Sequence, residues 1–93
     1  MIGQVKDELG LLFQGANYKV VKKAGKAGDK IDKHNHPEAE PTFIVVKGKV
    51  KAYMNEEEEH ILEPGKVLNF NGDNYINAEF LEDGEVVIVL ASK

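Results

Sequence analysis

"GDKIDKHNHPEAEPTFIVVKG" runs from Gly28 to Gly48, and its reading decides the fold. A glycine-punctuated loop leads to His34 and His36, then to Glu40, then to the apolar run "TFIVV" at residues 42–46. A continuous apolar run of this length, closed by the turn "KGK", is expected of a strand buried on both faces. In an extended segment residues i and i+2 point the same way, so His34 and His36 can meet one divalent ion. Imidazole nitrogen suits zinc, copper, iron and nickel, and a carboxylate widens the choice to manganese. Two histidines with one carboxylate is also the facial arrangement of non-haem iron oxygenases. Glu40 is the nearest candidate for that carboxylate, with Glu38 and Asp32 behind it. By itself the H-x-H pair fits an exposed loop as well as it fits a metal site.

Strand signals continue on both sides of this stretch. "YKVVKK" (18–23) sets Tyr18, Val20 and Lys22 against Lys19, Val21 and Lys23. "VKAYM" (50–54) puts Val50, Ala52 and Met54 on one face, and "YINAEF" (75–80) puts Ile76, Ala78 and Phe80 on one face. "KVLNF" (66–70) reads as a further strand, and "VVIVL" (86–90) as a second strand buried on both faces. Turn residues separate them: "NEEEE", "EPG", "NGDN" and "EDGE". Several short strands at close spacing with such turns read as an antiparallel sandwich or barrel. Only "VKDELGLLF" (5–13) has helix-like spacing; Gly10 weakens it, so an irregular segment or edge strand is equally open. The expected organisation is one domain over residues 1–93, with 1–17 an N-terminal irregular or edge segment and 18–90 the barrel.

Bulk properties narrow the function. Ninety-three residues suffice for one small domain. There is no cysteine, which removes disulfides and thiolate metal clusters and points to the cytoplasm. No apolar run is long enough to span a membrane, so no membrane partner is expected. All twelve basic residues are lysine. Without the arginine fork that reads base edges and clamps phosphates, no nucleic-acid partner is expected. Residues 1–53 carry ten lysines against six acids, whereas residues 54–93 carry two against ten. The lysine-rich "YKVVKKAGKAGDKIDK" could attract an anion, but it reads first as an exposed, soluble strand edge. Ser92 is the only serine, which leaves no serine triad. His60, behind four glutamates, reads as an exposed hairpin histidine.

At this point the residues carry a resemblance. Gly28, five residues, His34-x-His36, three residues, Glu40 and a buried run ending at Gly48 resembles the first motif of the cupin superfamily. "LEPGKVLNFNGDNYINAEF" (62–80) stands where cupins carry a second motif with a third histidine, and "KVKAYMNEEEEHI" between them is the expected hairpin. The resemblance spans about residues 18–90. It implies an all-β fold, an antiparallel jelly-roll barrel that holds its metal and ligand inside. It also implies four protein ligands for one divalent transition metal (zinc, manganese, iron, nickel or copper), and a homodimer.

The departures bear on function. Aligned from Gly65, the third histidine's place is taken by Ile76; aligned on Gly72, it is taken by Tyr75. Counting forward from His36 puts Glu40 at the glutamate position, but counting back from Gly48 puts Pro41 there. One residue of slip turns a strand side chain to the opposite face, unless Pro41 introduces a bulge. The expected metal ligands are therefore His34, His36 and Glu40, and Tyr75, Ile76 and Phe43 are expected to line the ligand pocket. The leading expectation is a small-molecule-binding barrel with a degenerate metal site. Two alternatives stand beside it. One is a metal-dependent oxygenase or an isomerase or epimerase on a small polar substrate. The other is a metal-free sensing or structural barrel, which an inward Ile76 favours.

Overall fold

The structure, a computed structural model, describes residues 2–93. Its strands are β1 (Gly10–Gln14), β2 (Tyr18–Gly25), β3 (Lys30–His34), β4 (Ala39–Lys47), β5 (Val50–Met54), β6 (Glu58–Leu62), β7 (Val67–Asn69), β8 (Ile76–Phe80) and β9 (Gly84–Ser92). They form two antiparallel sheets, ordered β1-β2-β9-β4-β7 and β3-β8-β5-β6. The chain is thus all-β, with the crossed strand order of a jelly roll.

The period-2 pattern decides which faces meet. In the second sheet β5 pairs with β8 through Val50–Phe80, Ala52–Ala78 and Met54–Ile76, and all six side chains are buried. In the first sheet Phe43 and Val45 of β4 and Val86 of β9 face them. Leu62 and Leu68 complete the core, with Ile31, Phe70 and Ile88 packed at its margin. No buried polar side-chain atom lacks a partner among the described residues.

One open choice is decided and two expectations change. "VKDELGLLF" is not helical: Gly10 has φ of 99°, outside the helical region, and β1 starts there as an edge strand paired with β2. β2 is not a sheet edge, because it lies between β1 and β9. "TFIVV" is not buried on both faces. Phe43 and Val45 point into the core, whereas Val46, at a bulge in the pairing with β9, remains 49% exposed.

The β5–β6 turn holds a local strain. Asn55 and Glu56 have φ of 53° and 61°. Asparagine tolerates this region, but glutamate pays a penalty there. Glu56→Gly is expected to stabilise the protein by about 0.5–1 kcal/mol in denaturant unfolding, since glycine takes positive φ without a Cβ clash. The Lys33–Glu56 ion pair lost with it, 3.3 Å long and exposed, contributes little.

Candidate functional site

The two histidines end β3 and begin the turn that follows. His34 is the last residue of β3 and lies directly opposite Ile76 of β8. The pairing of β3 with β8 slips between Ile31 and His34, which re-aims the strand end towards the gap between the sheets. His36 sits in the loop before β4, held by hydrogen bonds from its own N–H to the Gly72 carbonyl (2.8 Å) and from the Ala39 N–H to its carbonyl (3.0 Å). The two rings meet edge to face, with centroids 4.8 Å apart and an interplanar angle of 86°. The His34 Nδ1 lies 2.7 Å from the Asp32 carbonyl. A carbonyl can only accept, so Nδ1 carries the proton and, in the neutral ring, Nε2 keeps a free lone pair.

The structure brings His34, His36, Phe43 and Ile76 together. All four line a small cavity of about 20 Å³ between the sheets, together with Pro41, Phe70 and other apolar side chains. It does not bring Glu40 there. β4 pairs with β9 without interruption from Ala39 to Val45, so Pro41 creates no bulge. Pro41, Phe43 and Val45 alternate inward and are buried, and Glu40 therefore points to the opposite, exposed face. Tyr75 also stays outside: it is 44% exposed, with the Lys33 ammonium over its ring at 5.3 Å. Its backbone is pinned by Asn55, whose side-chain oxygen accepts from the Tyr75 N–H at 2.9 Å. Glu38 lines a separate cleft of about 310 Å³, on the side of His36 that faces Lys19.

These placements test whether a metal fits. Among the described residues no group of three histidine, cysteine, aspartate or glutamate side chains is arranged to hold an ion. Pro41 and Ile76, where the resemblance puts the glutamate counted back from Gly48 and the third histidine aligned from Gly65, are both hydrocarbon and both buried in the cavity wall. A divalent transition metal bound by protein needs three or four donors. The residues present supply two imidazoles in an otherwise apolar cavity, and they do not fit the group.

Beside the cavity the gap between the sheets widens into an open cleft of about 740 Å³. Its walls are Val21, Lys23, Ile88 and Leu90 from the first sheet and Ile31 to His34 from β3, with His36 between. Lys23 was not legible as a site residue. In the pairing of β2 with β9 it stands opposite Val86, a fully buried residue of the inner face, while Lys22 stands opposite Val87 and pairs with Glu85 at 3.0 Å.

Burial above all, then repulsion from His34, holds the His36 imidazole below its ordinary pKa; Glu38 pulls the other way, and Lys23 adds further repulsion. His36 is therefore neutral at pH 7. Its ring is expected to titrate below an ordinary histidine in an NMR pH series, and Lys23→Met to move it back upward. The linkage follows: the unfolded chain takes this proton first, so His36 lowers stability as pH falls through the ordinary imidazole value and has no effect above it.

The strand order and pairing define a fold class, the cupin-type double-stranded β-helix. No protein-family model and no curated protein matches the sequence. Solved structures do match. An RmlC-like cupin protein from Desulfovibrio desulfuricans superposes with a TM-score of 0.82 at 21% identity, over 98% of this chain and 92% of that one. KdgF from Halomonas sp. gives 0.82 at 19% identity, over 89% and 76%. A cupin superfamily protein from Desulfitobacterium hafniense gives 0.82 at 8% identity, over 96% and 84%. This chain has the cupin fold, and at these identities the likeness speaks for the fold alone.

Proposed function

We propose that this protein is a small-molecule-binding cupin-type barrel that works without a resident metal. The observation that carries the reading is the filling of the two remaining ligand positions by Pro41 and Ile76, with Glu40 turned outward on an uninterrupted β4. The histidines then act as hydrogen-bonding groups at the inner end of an open cleft, with the His34 Nδ1 already committed to the Asp32 carbonyl. Calorimetric titration with zinc, manganese, iron(II), nickel and copper tests this. The expected result is no stoichiometric binding tighter than about 10 µM, since two imidazoles leave most of the coordination sphere to water. One equivalent bound tightly, and lost in His34→Ala/His36→Ala, overturns it.

An oxygenase, isomerase or epimerase gains no support from this geometry, because the suggested acid–base groups, Glu40 and Tyr75, both lie outside the cleft. A homodimer does gain support. Val20, Ile44, Val67, Val87 and Val89 share the outward face of the first sheet, and Val67 is 55% exposed. Such a patch, with Val46 at its edge, suits sheet-on-sheet packing with a second copy. Light scattering is expected to give about twice the 10.3 kDa chain mass; the mass of one chain contradicts it. The lack of cysteine agrees with a cytoplasmic setting. Among the described residues no helix is long and apolar enough to cross a membrane.

A further inference from the structure

We propose that the cleft takes a small organic anion, its carboxylate held by Lys23 and His36 and its apolar body laid against Val21, Ile31 and Ile88. This rests on the reading of a small-molecule barrel and names the ligand class.

A cation stands on the inner face at the mouth of the cleft. Lysine on the inner face of a two-sheet barrel is unusual unless it is paired or reaches solvent. Lys23 lies on that face, opposite Val86, and reaches solvent at the open cleft. Among the described residues it makes no ion pair, whereas its neighbour Lys22, on the outer face, is paired with Glu85. Lys23 and His36 line the same cleft.

Two acids and two further lysines share the cleft: Asp29, Asp32, Lys30 and Lys33. The Asp29 carboxylate accepts the Lys26 N–H at 2.8 Å, at the β2–β3 turn. Asp32 is exposed on β3, and its contact with the histidines is through its carbonyl. Glu38 lines the other cleft, on Lys19's side of His36. Lys33 is engaged with Glu56 and the Tyr75 ring. Lys23 is thus a cation beside an imidazole, above an apolar wall. A carboxylate satisfies both groups, since the ammonium and a ring N–H both donate to it. The valine and isoleucine side chains favour a hydrocarbon body over a bare inorganic anion.

The test uses chelator-treated protein and two probes of equal shape, benzoate and its neutral amide benzamide, read by backbone amide NMR. Benzoate at millimolar concentration is expected to shift resonances around Lys23, Ile31 and His36, and benzamide to leave them in place. Lys23→Met keeps the stem, removes the charge, and is expected to weaken benzoate about fivefold. Lys19→Met, in the other cleft, is expected to leave the affinity unchanged. Equal binding of both probes, or equal losses in the two lysine variants, overturns the proposal. Benzoate binding that requires added zinc overturns the metal-free reading instead. Absence of binding with and without zinc overturns the anion assignment and leaves the metal-free reading standing.

Discussion

Ile76→His combined with Pro41→Glu is expected to create a tight divalent-metal site around His34 and His36. Both positions line the cavity that His34 and His36 enter, and Ile76 is the direct cross-strand neighbour of His34. The two substitutions would bring the donor set from two imidazoles to three imidazoles and a carboxylate, around a cavity enclosed by the core. Coupling of metal binding to folding makes the effect large: affinity for zinc is expected to rise at least about 100-fold over the natural chain. The melting temperature of the variant should become zinc-dependent, because an ion that binds only the folded state stabilises it by mass action. Without metal the variant should be less stable than the parent, since an unpaired carboxylate and imidazole then sit in an apolar cavity. If Pro41 and Ile76 did not occupy the ligand positions, the variant would lose stability and gain no affinity.

Gly72→Ala is expected to be the most damaging single methyl group near the site. A Cβ at Gly72 would press on the backbone carbonyls of His36 and Ala39, which cannot swing away as a side chain can. Two hydrogen bonds hold these segments together: His36 N–H to the Gly72 carbonyl at 2.8 Å, and Gly72 N–H to the Ala39 carbonyl at 3.0 Å. Losing both, with the displacement of a buried backbone, is expected to cost about 3 kcal/mol in chemical denaturation. The distinguishing readout is local. His36 should lose its depressed titration in the folded variant, because the turn that holds it against the barrel has moved. An unchanged His36 titration would separate the ring's position from the Gly72 contact.

The parts of the fold that were legible in the chain are those where one face is hydrocarbon and the other is not. "VKAYM" and "YINAEF" announce their inner faces by alternation, and β5 and β8 pair through those residues. The continuous runs were less informative. "TFIVV" carries apolar residues on both faces, so the pattern could not show that only Phe43 and Val45 enter the core. The same ambiguity hid Lys23. "YKVVKK" has a lysine and a valine on each face, and only the pairing with β9 shows that the Val21 and Lys23 face is the inner one. For the site, His34 and His36 were legible from their spacing. The glutamate position was not, because counting from His36 and from Gly48 gives neighbouring residues. The uninterrupted pairing of β4 turns Pro41 inward and Glu40 outward.

The central claim is that His34 and His36 serve this barrel without a metal. Elemental analysis of the untagged protein, purified without chelator beside His34→Ala/His36→Ala, tests it most directly. The account predicts no transition metal in stoichiometric amount in either sample. One equivalent of a transition metal in the natural chain, absent from the double variant, would contradict it.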